Sequence, residues 1–180
     1  DLLAADADGA AATFTVAANG GSSSLTYQWN KNGTDIPGET QDSLTTPSLT
    51  VADSGNTYAV KVSDSAGNVT SNAATLTVTP IAPTITTQPA SLSVNFGSNA
   101  SFSVVASGGS SPLSYQWKKG GVDINGATAA NFSIPAAALT DAGSYTVVIT
   151  NAGGFATSNA ATLAVNPPAG PSITTRSRGR

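Results

Sequence analysis

The chain contains no cysteine, no histidine and no methionine. Without them there is no Ser-His-Asp triad, no thiolate nucleophile and no Cys- or His-ligated zinc or haem. Glu39 is the sole glutamate, which removes glutamate pairs for acid–base chemistry. Charged residues fill only 9% of 180 positions, against ~25% in average globular domains. The net charge of −3 argues against a nucleic-acid partner, whose phosphates require clustered cations. No apolar run approaches the ~20 residues of a membrane-spanning helix. These absences predict a non-enzymatic protein that needs no cofactor, binds no nucleic acid and has no membrane span.

Serine and threonine make up roughly a quarter of the chain, with alanine and glycine abundant. A hydroxyl-rich, charge-poor, cysteine-free chain suits a secreted protein at the bacterial cell surface. Position 1 is Asp, and no signal peptide is visible, so a mature or clipped product is expected. The charges are unevenly placed. Asp1, Asp6 and Asp8 make an acidic head, and Arg176, Arg178 and Arg180 make a basic tail.

The chain repeats itself. Residues 9–53 match residues 97–141 at an offset of 88, with 21 identities in 45 positions. Gly20-Gly21-Ser22-Ser23 matches Gly108-Gly109-Ser110-Ser111, and Tyr27-Gln28-Trp29 matches Tyr115-Gln116-Trp117. Beyond Asp53 and Asp141 the offset falls to 87, because Asn56-Thr57 stands opposite the single Ser144. Tyr58 then matches Tyr145, and Ser71–Leu76 match Ser158–Leu163.

Within each repeat, apolar residues alternate with polar ones. Phe102, Val104 and Ala106 form one such series; Tyr145, Val147 and Ile149 form another; Leu76 and Val78 form a third. Period 2, β-branched residues and closely spaced Gly, Asn and Pro turns predict an all-β antiparallel sandwich in each repeat. Seven to nine strands are expected per repeat. The segment Pro135–Asp141 has room for one helical turn at most.

These motifs resemble the immunoglobulin superfamily, in its bacterial I-set-like form. The resemblance rests on Tyr-Gln-Trp, on Asp141-Ala142-Gly143-Ser144-Tyr145 and its expanded copy Asp53–Tyr58, and on the closing strand Ser158–Val165. It implies two tandem immunoglobulin-like sandwiches. It also implies that Trp29 and Trp117 are buried and that Tyr58 and Tyr145 form tyrosine corners, with the hydroxyl bonded to nearby backbone. The family's inter-sheet disulfide is replaced: Val16 and Val60 stand at its positions in the first repeat, Val104 and Val147 in the second.

The expected organisation is a first domain over 1–79 and a second over 80–167, joined through the proline-bearing segment around 79–83. A tail follows over 168–180. The second domain opens with Pro83-Thr84-Ile85-Thr86-Thr87, and the tail repeats the pattern as Pro171-Ser172-Ile173-Thr174-Thr175. Counting back from Pro83 by the same offset falls before residue 1. The first domain therefore lacks its A strand, while the tail resembles a spare one.

Two explanations fit. One is a spacer or adhesion module excised from a larger surface protein or secreted enzyme, with neighbouring immunoglobulin-like domains as its partners. The other is head-to-tail assembly of copies into a fibre or surface layer, the tail of one subunit supplying the strand missing from the next. That assembly assigns an interface to Ile173, Thr174, Thr175, Arg176, Arg178, Arg180, Asp1, Asp6 and Asp8.

Other chemistries are weaker. Polysaccharide binding needs a platform of exposed aromatics, and only Phe96 and Phe155 escape assignment to the core. Asp6-Ala7-Asp8-Gly9 offers two carboxylates, too few for calcium, which takes 6–8 oxygens. Sequons at Asn32, Asn68, Asn99 and Asn131 are no more frequent than this Ser/Thr content produces by chance. Lys118 and Lys119 precede a Gly-rich turn and are expected to be solvated, which disfavours an isopeptide crosslink.

Overall fold

A computed structural model describes residues 4–20 and 24–171, with side chains described from residue 7 onward. The chain divides into two compact units. One holds residues 1–82 with 108–112 and 151–154, and the other holds 83–107, 113–150 and 155–180.

The first repeat contains β1 (Ala4–Ala7), β2 (Thr13–Thr15), β3 (Thr26–Lys31), β4 (Thr34–Asp35), β5 (Ser43–Thr45), β6 (Thr57–Asp64), β7 (Gly67–Thr70) and β8 (Ala74–Thr79). One sheet runs β1-β8-β6-β3-β4, with β7 on β6, and β2 pairs with β5 in the facing layer. The second repeat contains β9 (Thr84–Thr87), β10 (Leu92–Asn95), β11 (Ala100–Ser103), β12 (Val105–Ser107), β13 (Ser114–Lys119) and β14 (Val122–Asp123). It continues with β15 (Asn131–Ile134), β16 (Gly143–Asn151), β17 (Gly154–Thr157) and β18 (Ala161–Asn166). Its larger sheet follows the same path, β10-β18-β16-β13-β14, with β17 on β16. The facing layer pairs β11 with β15 and β12 with β9.

The expected alternation is the observed burial. Tyr145, Val147 and Ile149 point inward along β16, and Ala74, Leu76 and Val78 along β8. Helix is confined to single 3-10 turns at Val51–Asp53 and Leu139–Asp141. The β3–β4 hairpin turns on Asn32 (φ 51) and Gly33 (φ 79), and the β13–β14 hairpin on Gly120 (φ 55) and Gly121 (φ 85). Two successive left-handed residues match the twist of the flanking strands. This is why Asn-Gly and Gly-Gly occupy those places.

The second repeat carries ten strands rather than seven to nine. Its opening strand splits into β9 and β10, and the next into β11 and β12. The first half, β9, pairs antiparallel with β12; the second half, β10, pairs parallel with β18. In the first repeat β1 is the counterpart of β10 and pairs parallel with β8. The counterpart of β9 would fall before residue 1.

Candidate assembly site

Trp29 and Trp117 are buried, and each lies directly across the ladder from a disulfide-replacing valine, Val60 or Val147. Val104 is buried, whereas Val16 is half-buried against its core. Both indoles donate to backbone carbonyls at 2.9 Å, of Gln41 and Ala129. The glutamine of each Tyr-Gln-Trp motif braces its hairpin: Gln28 Nε2 donates to the Ile36 carbonyl at 2.8 Å, and Gln116 Nε2 to that of Ile124 at 2.9 Å. Phe14 stacks on Tyr58 with centroids 4.6 Å apart, and Phe102 on Tyr145 at 4.8 Å.

The corners differ. Tyr145 Oη donates to the Asp141 carbonyl at 2.7 Å, as the family pattern implies. Burial, and secondarily the negative charge of Asp141, raise the Tyr145 pKa above the ordinary phenol value. Tyr58 is equally buried, but among the described residues its hydroxyl makes no such bond. The extra residue before it changes the register between Asp53 and the ring. Asp53 and Asp141 brace their turns: Asp53 Oδ2 accepts from the Thr50 N–H and hydroxyl, both at 3.0 Å, and Asp141 Oδ2 from the Ala138 N–H at 2.9 Å.

Two lysines are not simply solvated. Lys118 pairs with Asp123 and is half-buried; Lys119 donates to the Thr140 carbonyl and sits 5.9 Å from the Tyr145 ring centroid. The long aliphatic stems lie along the sandwich while the ammonium groups reach polar partners. Phe96 and Phe155, whose faces the sequence left open, are 51% and 71% exposed.

Of the nine residues assigned to an interface, Asp1, Ile173, Thr174, Thr175, Arg176, Arg178 and Arg180 lie outside the described residues. The backbone of Asp6 lies in β1 opposite Val78. Asp8 is half-buried, with its N–H donating to the Thr79 carbonyl at 3.1 Å.

An edge that sequence reasoning did not locate is visible by comparing the repeats. In the second, β12 takes β9 in the register Ala106↔Ile85 and Ser107↔Thr84. Ile85, like Ala106 and Leu113, is partly buried against the core. In the first repeat the counterpart of β12 is Ala17–Asn19. These residues belong to no strand, and among the described residues no strand pairs with them. A groove of about 570 Å³ opens beside them, lined by Ala18, Leu25, Val62, Ala66 and Val69 among others. Ala18 and Leu25 match Ala106 and Leu113 at offset 88, and Val62 matches Ile149 at offset 87. Asp64, Ala66 and Gly67, also in the lining, match Asn151, Gly153 and Gly154, which in the second repeat meet Ile81 and Ala82. The constant offset, applied to the partner of the A strand and not only to the A strand, was the signal that could have found this edge.

Residues 82–151 match the immunoglobulin domain family model. The chain is 34% identical over 168 residues to Endoglucanase C of Cellulomonas fimi, covering 89% of this chain and 15% of that enzyme. It is 43% identical over 75 residues to the Decoration protein of Escherichia phage T5, covering 40% of this chain and 46% of that protein. The chain thus spans less than half the length of these relatives. Among solved structures, titin domains Z1Z2 in complex with telethonin align at TM-score 0.59 and 26% identity, covering 93% of each chain. The N-terminal four immunoglobulin domains of Dscam1 align at TM-score 0.56 and 22% identity, covering 91% of this chain and 43% of that one. Fold, repeat and comparisons agree on an all-β chain of immunoglobulin-like sandwiches, a fold typical of non-enzymatic modules.

Proposed function

We propose that the chain is a non-enzymatic, extracellular structural protein whose copies join head to tail, the C-terminal tail of one reaching the first sandwich of the next, into a fibre or surface layer. One observation carries this reading. Among the described residues no strand pairs with Ala17–Asn19, which lie beside a groove of mixed polar and apolar lining, and the tail Pro171–Thr175 repeats the sequence pattern of Pro83–Thr87, which holds the strand that covers the matching edge in the second repeat. A head-to-tail contact that does not close on itself propagates into a filament.

Magnitudes set the terms. Burying Ile173 contributes ~1.5–3 kcal/mol, and each of a few ladder hydrogen bonds ~0.5–1.5 kcal/mol. Association costs on the order of 4–15 kcal/mol, so the tail alone gives weak joining. The acidic head and basic tail supply further attraction, which salt screens if the charges are exposed.

The second reading is a spacer or adhesion module within a longer secreted protein, with neighbouring immunoglobulin-like domains as partners. The similarity to a short stretch of Endoglucanase C favours it. Polysaccharide is the remaining candidate ligand, with Phe96 and Phe155 as the exposed aromatics available to it. Negative-stain microscopy of the full chain across a concentration series separates the readings. Regular filaments are expected for head-to-tail joining; monodisperse particles at every concentration overturn it in favour of the spacer.

A further inference from the structure

We infer that Asn125 is a site of spontaneous covalent modification: its side-chain amide closes on the Gly126 nitrogen, loses ammonia, and is opened by water to an aspartyl or isoaspartyl link. This inference stands apart from the head-to-tail reading.

The atoms balance with water as the co-reactant. The Gly126 backbone nitrogen gives up its proton and attacks Asn125 Cγ. A C–N bond forms there, and the side-chain nitrogen leaves with that proton as ammonia. The product is a five-membered succinimide. Water then adds to one of its two carbonyls. Opening at the side-chain carbonyl leaves aspartate in the ordinary chain. Opening at the backbone carbonyl leaves isoaspartate, whose chain runs through the former side chain. Closure demands a following residue without a side chain, an amide free to rotate onto it, and a nitrogen whose proton is not held.

Asn-Gly occurs at Asn19-Gly20, Asn32-Gly33 and Asn125-Gly126. The first of these adjoins residues 21–23, which lie outside the described ones. Asn32 and Asn125 are both exposed, so access does not separate them. Hydrogen bonding does. Asn32 Oδ1 accepts from the Thr57 N–H at 2.8 Å and from the Thr57 hydroxyl at 3.3 Å, and Asn32 Nδ2 donates to Asn56 Oδ1 at 2.9 Å. Turning that amide toward Gly33 breaks all three bonds. Among the described residues the Asn125 side chain makes no hydrogen bond, and the Gly126 N–H donates to no backbone carbonyl.

The repeat supplies a natural control. The Ala127 N–H donates to the Ile124 carbonyl at 3.1 Å and closes a four-residue turn, with Gly126 at φ 76 in third place. This is the pattern of a type II turn, whose second place suits proline. The first repeat has Ile36-Pro37-Gly38-Glu39 there, with Gly38 at φ 83 and the Glu39 N–H on the Ile36 carbonyl at 3.2 Å. Pro37 keeps the turn and has no amide to close. Either product at Asn125 also adds one negative charge two residues from Asp123, the partner of Lys118.

The test uses the full chain, held in warm, mildly alkaline buffer and digested at intervals. Mass spectrometry follows the amide-to-acid conversion in the peptides bearing Asn32 and Asn125. Each bond that must break slows closure, so Asn125 should react at least roughly tenfold faster than Asn32. In denaturant the two rates should converge. Asn125→Pro should abolish the product at that turn and leave the Asn32 rate unchanged. Asn56→Ala, which frees Asn32 Nδ2, should speed Asn32 alone. Equal rates in the folded chain, a faster Asn32, or a difference that persists in denaturant would overturn the inference.

Discussion

The two sandwiches share a blueprint but are finished differently. In the second, β9 pairs with β12, Phe132 packs 6.0 Å from both Trp117 and Tyr145, and Tyr145 ties its hydroxyl to Asp141. The first has Leu44 where the second has Phe132, and among the described residues no strand pairs with Ala17–Asn19 and the Tyr58 hydroxyl makes no such tie. Two copies of one pattern thus separate what folding requires from what each position adds. The Phe-Trp-Tyr packing and the valines in place of a disulfide occur in both, so they suffice for the sandwich. Among the described residues the tyrosine tie occurs in one, so it refines the sandwich.

Removing the indoles tests this separation most severely. Trp117→Ala should cost ~3–5 kcal/mol through the cavity it leaves. Trp29→Ala should cost less, because Trp29 lacks the second aromatic neighbour and its sandwich already contains a slot of about 230 Å³ reaching it. Calorimetry of the two variants should show different transitions lowered, the Trp117 one by more. Equal losses would mean that Phe132 adds nothing beyond Leu44.

The next effect concerns the closing strands. Ser158 is buried and its Oγ accepts from the Val147 N–H at 3.0 Å; Ser71 is exposed and accepts from the Val60 N–H at 3.1 Å. Orphaning a buried N–H costs ~1–3 kcal/mol, whereas water can replace the partner at an exposed site. Ser158→Ala should therefore lower the denaturation midpoint clearly, and Ser71→Ala should lower it little. A reversed order would contradict the burial of Ser158.

Much of this was legible in the sequence because its cause is local or repeated. Period-2 alternation along 143–151 and 74–79 reports which face of a strand meets the core, and the structure buries those faces. Asn32-Gly33 and Gly120-Gly121 mark turns because few other residues tolerate two left-handed conformations in succession. The lysines were not legible, because whether Lys118 reaches Asp123 depends on a hairpin partner across the turn. The groove beside Ala17–Asn19 became legible only with the pairing of β9 on β12 in hand: the repeat offset then carries that pairing from Val105–Ser107 to Ala17–Asn19. The lost Tyr58 tie had a visible sign in the one-residue expansion, but its consequence depends on three-dimensional register.

A smaller effect sharpens the corner comparison. Tyr145→Phe removes a single hydrogen bond and should cost ~0.5–1.5 kcal/mol, while Tyr58→Phe should be nearly neutral. The raised Tyr145 pKa has its own signature. Burial favours the neutral phenol in the fold, so this contribution is full below pH ~10, the unfolded pKa. It is lost as pH rises through the higher folded value. The wild-type advantage over Tyr145→Phe should shrink in alkali, as followed by denaturant midpoints from pH 8 to 11. No shrinkage would mean that the phenol ionises equally in both states.

The smallest effect lies at the other end of the pH scale, at the acidic residue of the first corner. Thr50 gives Asp53 two hydrogen bonds, from its N–H and from its hydroxyl, and these hold the Asp53 pKa below the ordinary 3.8. The second corner has Ala138 in place of Thr50, so the Asp141 carboxylate accepts the N–H there but has no hydroxyl to accept from at that position. Thr50→Ala rebuilds the first corner with the chemistry of the second. A carboxyl whose folded pKa is depressed stabilises the fold above its unfolded pKa, and the contribution fades as pH falls through the folded value. The window is thus below pH ~4, and nothing should change near neutrality through this route. Titration of the Asp53 carboxyl by NMR should show its pKa moving up toward 3.8 in Thr50→Ala. The variant should begin to lose stability at a higher pH than wild type on acidification. Because the Asp53 side chain is 30% exposed, solvent screens the interaction and the displacement should be modest. An unchanged Asp53 titration would show that the backbone N–H alone sets the corner, and that the two sandwiches are equivalent at this point.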